Sequence, residues 1–163
     1  MREIQVRHAS IRDIPQLKAL LLDWLSWAPQ TGRTPSIKRA VDNKEVLVAV
    51  DSVDVIGLVH FVIHEDIIDG APNAFITAFY VRREFRGRGI GTRLLHRAIT
   101  ESARRGAVSV ETSTTHSGAR SFYEKNGFAQ YTGEIGEAFL ELDVRTYLKA
   151  HQTPIRCSRP LLP

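Results

Sequence analysis

The chain has little cysteine and no long hydrophobic run, and each of these features excludes a class of protein. Cys157 is the single cysteine in 163 residues, which rules out an internal disulfide and a cysteine-rich metal site. No stretch reaches the roughly 18 apolar residues of a membrane span, and the charged start, MREIQVRHAS, lacks a signal-peptide core. The six histidines are scattered without metal-ligand spacing. We therefore expect a cytoplasmic protein with no membrane partner and no bound metal.

The composition is typical of one compact globular domain. Hydrophobic residues make up 43% of the chain and charged residues 25%, as in ordinary soluble proteins. No internal repeat or low-complexity linker divides the sequence. We expect a single domain over residues 1–150, followed by a proline-containing tail over 151–163.

The positive charge is concentrated in one part of the sequence. The net charge is +4, and about half of the arginines lie between Arg82 and Arg105, opposed there only by Glu84 and Glu101. Such a stretch can indicate nucleic-acid binding. However, aromatic residues are not interleaved with these arginines in a stacking pattern. A local phosphate site together with a solvated helix face accounts for the same charges, so the sequence argues against a nucleic-acid partner.

The order of strand-like and helix-like segments predicts a mixed α/β domain. Alternating or β-rich runs predict strands at 3–8, 46–50, 55–63, 74–81, 108–115, 128–131 and 138–144. Apolar residues at helical spacing, with Ser10, Gly106, Ser117 and Gly127 as end signals, predict helices at about 11–27, 36–43, 90–103 and 117–125. The polar residues 64–73 are expected to form a loop. The strand–helix–strand unit at 74–115 predicts parallel strands joined by a right-handed crossover.

A glycine-rich segment, Arg86-Gly87-Arg88-Gly89-Ile90-Gly91-Thr92, lies between the predicted strand at 74–81 and the helix that follows. Glycines let the backbone approach a ligand closely, and a helix N-terminus offers unpaired N–H donors and a positive dipole end. The two arginines add charge and forked donors suited to phosphate. The segment therefore predicts a site for a phosphorylated ligand.

Several glycine-loop interpretations compete for this segment. A P-loop needs a lysine after its last glycine, and none is present. A dinucleotide site needs Gly-x-Gly-x-x-Gly close to the preceding strand, whereas the spacing here is Gly-x-Gly-x-Gly after four intervening residues. Glu111 does lie where a ribose-binding acid would, about 20 residues on. Two interpretations remain. In one, the glycines only form a turn and the arginines only add solubility; in the other, the segment binds the pyrophosphate of an acyl-CoA.

Two motifs carry a resemblance to a known family. The segment 81–92, VRREFRGRGIGT, resembles the Arg/Gln-x-x-Gly-x-Gly/Ala signature of the GCN5-related N-acetyltransferase (GNAT) family, with Arg86, Gly89 and Gly91 at its key positions. The segment 119–128, ARSFYEKNGF, is similar to a second family motif, Ala-x-x-(aromatic or Leu)-Tyr-Glu-Lys-x-Gly-Phe. The order and separation of the two motifs also match the family.

The resemblance implies a fold and a cosubstrate site. We expect the GNAT fold, a mixed central β-sheet splayed between strands 4 and 5 (here 74–81 and 108–115) and flanked by about four α-helices. The pantetheine arm of acetyl-CoA would pair with the main chain of Phe79, Tyr80 and Val81. His116, where relatives often have asparagine, is a candidate contact of that arm. The pyrophosphate would bind the loop residues Arg86, Gly87, Arg88, Gly89, Ile90, Gly91 and Thr92.

The resemblance further implies an N-acetyltransferase that moves an acetyl group from acetyl-CoA to a primary amine, on a small molecule or a peptide, by direct attack. Tyr123 occupies the position that protonates the departing CoA sulfur in many relatives. A main-chain N–H near Phe79 or Tyr80 would stabilise the oxyanion. The resemblance also allows for a homodimer.

The general base is not identified by the sequence. Many relatives have an acid in the middle of strand 4, where this chain has Thr77 and Ala78. A water chain, an acceptor amine of low pKa or another side chain would have to serve, the candidates being Glu111, His64, Glu65 and Asp66. The missing acid also supports an alternative hypothesis, an inactive or weak acyl-CoA-binding module of the same fold.

The acceptor is expected to be selected by the first helix, the loop after it and residues 64–73. Three side chains there could form an apolar wall, namely Trp24, Trp27 and Pro29. Three acidic side chains could attract a cationic amine, namely Asp23, Asp66 and Asp69.

Overall fold

The computed structural model describes residues 4–25, 34–66, 70–132 and 138–151. The strands are β1 (Gln5–His8), β2 (Val46–Asp51), β3 (Asp54–Glu65), β4 (Pro72–Val81), β5 (Ser109–Thr114), β6 (Ala129–Thr132) and β7 (Ala138–Asp143). The helices are α1 (Ile14–Trp24), α2 (Thr34–Asp42), α3 (Ile90–Arg104), α4 (Ser117–Lys125) and α5 (Val144–Ala150), with short 3₁₀ turns at Ile11–Asp13 and Arg83–Phe85.

The strands form one mixed sheet in the order β1-β2-β3-β4-β5-β7-β6. The predicted mixed α/β fold is thereby confirmed, with five α-helices among the described residues where about four were expected. By contacts the chain divides into two compact units, Met1–Phe61 with Ala78–Ala98 and Val62–Thr77 with Ile99–Pro163. Within the described residues, no helix has the length and apolar character that crossing a bilayer requires.

The first unit is built around the β2–β3 hairpin and the two N-terminal helices. The β2 strand is buried over five successive residues and pairs with both β1 and β3 in antiparallel fashion. Helix α1 buries Ile14, Leu17 and Leu20 in the same cluster as Val48 and Leu58. Burial of these aliphatic side chains is the main force that holds this unit together.

A buried carboxylate fixes the start of the first helix. Asp13 is 6% exposed, and its side chain accepts hydrogen bonds from the Ser10 amide at 2.7 Å and the Ser10 hydroxyl at 2.9 Å. Arg7 donates to both carboxylate oxygens, at 2.7 and 2.9 Å. The hydrogen bonds from Arg7 lower the pKa of Asp13 to about 2 against the opposing effect of burial, and the Ser10 bonds add to the lowering.

We predict that Asp13→Asn lowers the free energy of unfolding at neutral pH by about 2 kcal/mol, since the native pKa lies below the ordinary value of 3.8. A carboxyl with a lowered native pKa stabilises the fold above its unfolded pKa, and this contribution is lost as the pH falls from about 4 towards 2. Urea unfolding of both proteins across that range measures the difference, which should nearly vanish at pH 2. Asp42→Asn, which breaks only the exposed pair with Lys38, is the control. Equal effects of the two substitutions would contradict the assignment.

The second unit holds the parallel part of the sheet. Strand β4 pairs in parallel with β5, from Asn73 opposite Ser109 to Ile76 opposite Thr112. On its other side β5 pairs with β7. The parallel ladder ends at Ile76 although β4 continues to Val81, a pattern that fits the predicted fold class. Parallel neighbours need a crossover connection, and α3 lies in that connection.

Several boundaries differ from the sequence predictions. Pro72 and Asn73 belong to β4, and His64 and Glu65 to β3, so the predicted loop at 64–73 is shorter than expected. Val108 donates its amide to the carbonyl of Pro72, which ties the start of β4 to the chain entering β5. The N-cap of α4 is His116 in extended conformation and not Ser117, which is the first helical residue.

Helix α5 was not predicted. Asp143 caps it by accepting a hydrogen bond from the Thr146 amide at 2.7 Å, and Val144, Tyr147 and Leu148 are buried. The single-domain prediction for residues 1–150 stays a prediction. Of the predicted tail only His151 is described, and Trp27, Pro29 and Asp69 also lie outside the described residues.

Candidate active site

The glycine-rich segment forms a turn that leads directly into α3. Gly87 and Gly89 have φ angles of +75° and +73°, which L side chains rarely adopt, and a Cβ at either position would meet open space. The amide of Arg93 donates to the carbonyl of Gly89 at 3.1 Å, so the amides of Ile90, Gly91 and Thr92 belong to the first, donor-rich turn of the helix. The geometry is suited to an anion at the positive end of the α3 dipole.

Each arginine of this loop lies over an aromatic ring. The Arg86 guanidinium is 5.3 Å from the centroid of Tyr80, and its Nε donates to the Val81 carbonyl at 2.8 Å. The Arg88 guanidinium is 5.4 Å from the centroid of Phe85. Both arginines are exposed, so their heads keep donors directed to solvent. The rings and the Val81 carbonyl restrict the two side chains, which reduces the entropy lost when an anion binds.

The end of β4 is held in place by a close approach of β3. A Cβ added at Gly57 would lie 3.1 Å from the Tyr80 carbonyl and 3.2 Å from both Val81 and Leu94, so only glycine fits without a shift. The Arg82 amide donates to the Ile56 carbonyl at 2.9 Å just beyond β4. The backbone of Phe79–Val81 is thereby positioned by the neighbouring strand and by α3, although the sequence analysis gave Gly57 no role.

The side chain of Tyr80 connects β4 to the end of α1. Its hydroxyl donates to an Asp23 carboxylate oxygen at 2.6 Å, and its ring stacks on Trp24 with centroids 5.9 Å apart. Burial raises the pKa of Tyr80, and the hydrogen bond and charge of Asp23 act in the same direction. Asp23, predicted as a point of attraction for a cationic amine, therefore has a protein donor on one oxygen, and Trp24 packs against the core of the first unit.

In the second unit Tyr123 is enclosed by α4, β5 and the chain after α4. It is 5% exposed, and its ring packs against Phe122 and Phe128 with centroid distances of 5.4 and 5.2 Å. Burial raises the pKa of Tyr123 to about 12, while a hydrogen bond with the side chain of Thr112 acts in the opposite direction. The phenol is therefore protonated at neutral pH, as a proton donor must be.

Thr112 is a buried polar residue in the parallel pairing of β4 and β5. It is 2% exposed, and its hydroxyl donates to the Ile76 carbonyl at 3.3 Å. Nothing in the local sequence marks it, because threonine is common in strands and its partner is distant in sequence.

The candidate general bases lie in different environments. Glu111 is half-buried on β5, in register with Phe75 and Glu141, and accepts a weak hydrogen bond from Ser109 at 3.4 Å. Because side chains alternate along a strand, it lies on the opposite face from Thr112. The remaining candidates are at the end of β3 or just after it, with exposed His64 and Glu65 and half-buried Asp66.

Thr77 is exposed and Ala78 half-buried, so strand 4 offers no carboxylate at these positions. His116 is exposed at the N-cap of α4, where its amide donates to the Thr114 hydroxyl at 3.1 Å. Among the residues that the structure describes, no three His, Cys, Asp or Glu side chains form a group that could hold a metal ion.

Comparison with known proteins supports the same interpretation of the two motifs. The profile described as the Acetyltransferase (GNAT) family matches residues 14–128. N-alpha-acetyltransferase 30 of Schizosaccharomyces pombe is 33% identical over 87 residues, which cover 52% of this chain and 57% of that protein. The chain thus spans little more than half the length of this curated relative.

Solved structures agree in fold. A chain of the NatC complex bound to Gag peptide and CoA superposes with a TM-score of 0.71 at 19% identity, over 86% of this chain and 98% of that one. Naa50 of Arabidopsis thaliana, in complex with the bisubstrate analogue CoA-Ac-MVNAL, gives a TM-score of 0.67 at 19% identity, over 85% and 96%. Since the family profile covers most of the chain and the sheet has the expected topology, the protein belongs to the GNAT family of acetyltransferases.

Proposed function

We propose that this protein transfers an acetyl group from acetyl-CoA to the α-amino group of a peptide. The observation that supports acetyl-CoA as the cosubstrate is the loop before α3, where two glycines with positive φ and two arginines precede a helix N-terminus. The pyrophosphate would bind the amides and guanidinium groups of Arg86–Thr92. The pantetheine arm would pair with the main chain of Phe79–Val81, with His116 as a further contact.

The reaction would be direct attack of the amine nitrogen on the acetyl carbonyl. A tetrahedral intermediate forms, with its oxyanion near the main-chain N–H of Phe79 or Tyr80. The carbon–sulfur bond then breaks, and Tyr123 gives its phenolic proton to the sulfur. The amine loses one proton to water or to a side chain such as Glu111, so free CoA and an amide are the products.

The acceptor class follows from the chemistry of strand 4. Thr77 and Ala78 offer no base, so an amine with a larger neutral fraction near pH 7 is favoured. An α-amino group has a pKa of about 7.7–8.0, and a lysine side chain about 10.4. At pH 7 the lysine therefore costs roughly 3–4 kcal/mol more to deprotonate. The relative that is an N-alpha-acetyltransferase, and the peptide in the NatC structure, support a peptide acceptor.

The test has a binding arm and a transfer arm. We expect saturating acetyl-CoA to raise the melting temperature, because a ligand that binds only the native state stabilises it by about 2.7 kcal/mol at 100 times its Kd. No rise at millimolar acetyl-CoA would count against the proposal. Release of CoA thiol is then measured with a panel of peptides that have a free N-terminus, and with N-terminally blocked versions that contain a lysine.

We predict that the free N-termini are the better acceptors, and that kcat/KM for them rises with pH and levels off near pH 9, about one unit above the pKa of the α-amine. For a lysine acceptor the rise should continue beyond pH 10. Equal rates for both classes would overturn the acceptor assignment. Binding of acetyl-CoA without transfer to any amine would instead favour the acyl-CoA-binding module that the missing acid at Thr77 and Ala78 suggests.

A further inference from the structure

The outer face of helix α1 is apolar where a surface helix is normally polar. Ile11, in the 3₁₀ turn that leads into the helix, is 59% exposed, and Leu22 near the helix end is 53% exposed. Pro15 and Ala19, which lie between them in sequence, are exposed as well. The four residues follow one another at helical spacing, which places side chains along one face. We call them the α1 stripe.

Helix α1 therefore has apolar side chains on two faces. Its inner face, with Ile14, Leu17 and Leu20, is already buried in the core of the first unit. A helix that is hydrophobic all round is usually buried on every side. Exposed apolar residues that occur singly need no explanation, but a continuous stripe of them indicates a surface that binds another molecule.

The turn between β2 and β3 extends this surface. Gln16 of α1 holds the turn with both ends of its side-chain amide, because its Nε2 donates to the Val53 carbonyl at 3.0 Å and its Oε1 accepts from the Val55 amide at 2.7 Å. The Val53 side chain is 77% exposed. Its backbone is fixed beside the helix, so a partner can bury Val53 without the entropic cost of ordering a loop.

The charges beside the α1 stripe are self-complementary. Arg12 and Asp23 are both exposed and are separated by about three helical turns, so they lie on the same flank of the helix. Asp23 accepts the Tyr80 hydroxyl at one carboxylate oxygen, at 2.6 Å, and a carboxylate can accept further hydrogen bonds at the other. On the opposite flank Lys18 is half-buried and interacts within its own chain.

Two-fold symmetry would bring these opposite charges together. A two-fold axis that makes two copies of α1 antiparallel keeps the same flank of each helix on the same side. If the axis passes midway between Arg12 and Asp23, Arg12 of each copy meets Asp23 of the other, as flanking charges do in paired helices. With a rise of about 1.5 Å per residue, the same axis also sets Ile11 beside Leu22 of the second copy. One arrangement thus buries the apolar residues and pairs the charges.

We propose that the α1 stripe is an interface with a second copy of this chain, in which α1 packs antiparallel on α1 and Arg12 of each copy pairs with Asp23 of the other. The charges assign the occupant, because the second copy supplies a cation and an anion at the two required positions. The inference is independent of the proposed function, since it uses no residue proposed to bind acetyl-CoA or to take part in the chemistry. One pair of 11-residue helices is a small interface, so we expect a dimer Kd of about 10–100 µM.

A charge-swap experiment tests both the dimer and its geometry. Sedimentation equilibrium over about 1–500 µM protein should show a monomer–dimer equilibrium in the unaltered chain. Arg12→Glu and Asp23→Lys should each weaken association about tenfold or more, because either homodimer then has like charges at both pairs. An equimolar mixture of the two variants should form dimers again, since each mixed dimer has two pairs of opposite charge. A parallel arrangement does not predict this recovery, because it sets opposite flanks side by side.

Three further variants separate the interface from other effects. Leu22→Gln should weaken association about tenfold or more, whereas Val108→Gln, at a similarly exposed aliphatic residue of the second unit, should leave it unchanged. Tyr80→Phe removes the hydrogen bond to Asp23 but keeps the carboxylate, so it should still dimerise. Thermal unfolding of each variant checks that it is folded.

A chain that stays monomeric throughout this range would overturn the inference and assign the α1 stripe to a different molecule. A mixture of Arg12→Glu with Asp23→Lys that stays monomeric would overturn it too, as would equal losses in Leu22→Gln and Val108→Gln.

Discussion

Tyr123→Phe is expected to lower kcat about 10²–10³-fold and to leave the Kd for acetyl-CoA within about twofold. Loss of a well-placed general acid typically costs this much, because the thiolate must then leave without a proton. The substitution removes one oxygen and keeps the ring, whose packing against Phe122 and Phe128 provides most of its contacts. Steady-state kinetics with the best peptide acceptor, together with calorimetric titration of acetyl-CoA, separates the two quantities.

Tyr147→Phe is the matched control, since Tyr147 is also a buried tyrosine of the second unit, 6% exposed, whose pKa is raised by burial. Its ring stacks on His151, with centroids 4.0 Å apart. We expect it to retain nearly full kcat. If Tyr123→Phe is equally active, the phenol is not the acid. Because the pKa of Tyr123 is about 12, its ionisation should not limit kcat anywhere below about pH 10.

The double variant Arg86→Glu with Gly89→Glu is expected to abolish the thermal stabilisation by acetyl-CoA. The stabilisation expected for the unaltered protein is about 2.7 kcal/mol at 100 times the Kd, or roughly 5–10 °C for a chain of this size. The variant removes a cation and places two carboxylates where the pyrophosphate would lie, and like charges repel it. It also removes the Arg86 bond to the Val81 carbonyl and its contact with Tyr80.

The comparison must be made on the ligand-induced rise and not on the melting temperature itself, because a side chain at Gly89 strains a backbone with φ of +73°. Arg39→Glu with Gly70→Glu is a matched control. It makes the same change in charge, on an exposed arginine and on a glycine with φ of +69° that also faces open space. We expect the control to keep the full rise. A normal rise in the loop variant would remove the pyrophosphate assignment.

The elements of the fold were largely predictable because their signals are local. Hydrophobic periodicity and the residues at helix ends located α1, α3 and the β2–β3 hairpin to within a few residues. The turn formed by the glycine-rich segment was also predictable, because glycine readily adopts the positive φ angles found at Gly87 and Gly89. Helix α5 was missed because it is short and begins directly at the end of β7, with no break in between.

The contacts that join distant residues could not be predicted. The Tyr80 hydroxyl meets Asp23, and the Thr112 hydroxyl meets the Ile76 carbonyl, through pairings set by the sheet and by helix packing, and neither pair has a sequence motif. Gly57 was passed over for the same reason, because its role depends on how closely β3 approaches the end of β4. Sequence identified which residues could bind a phosphate, and only the structure identified what holds those residues in position.

The stack of Trp24 on Tyr80 gives the molecule an internal optical reporter. Indole emission responds to the electric field of nearby charges, and Arg86 lies over the same Tyr80 ring that Trp24 contacts. The sequence has two tryptophans, so replacing Trp27 with phenylalanine leaves Trp24 as the sole indole. The proposed binding of a phosphate at Arg86 can then be tested as a change in intrinsic fluorescence, and the loop can be titrated with acetyl-CoA before any acceptor is known.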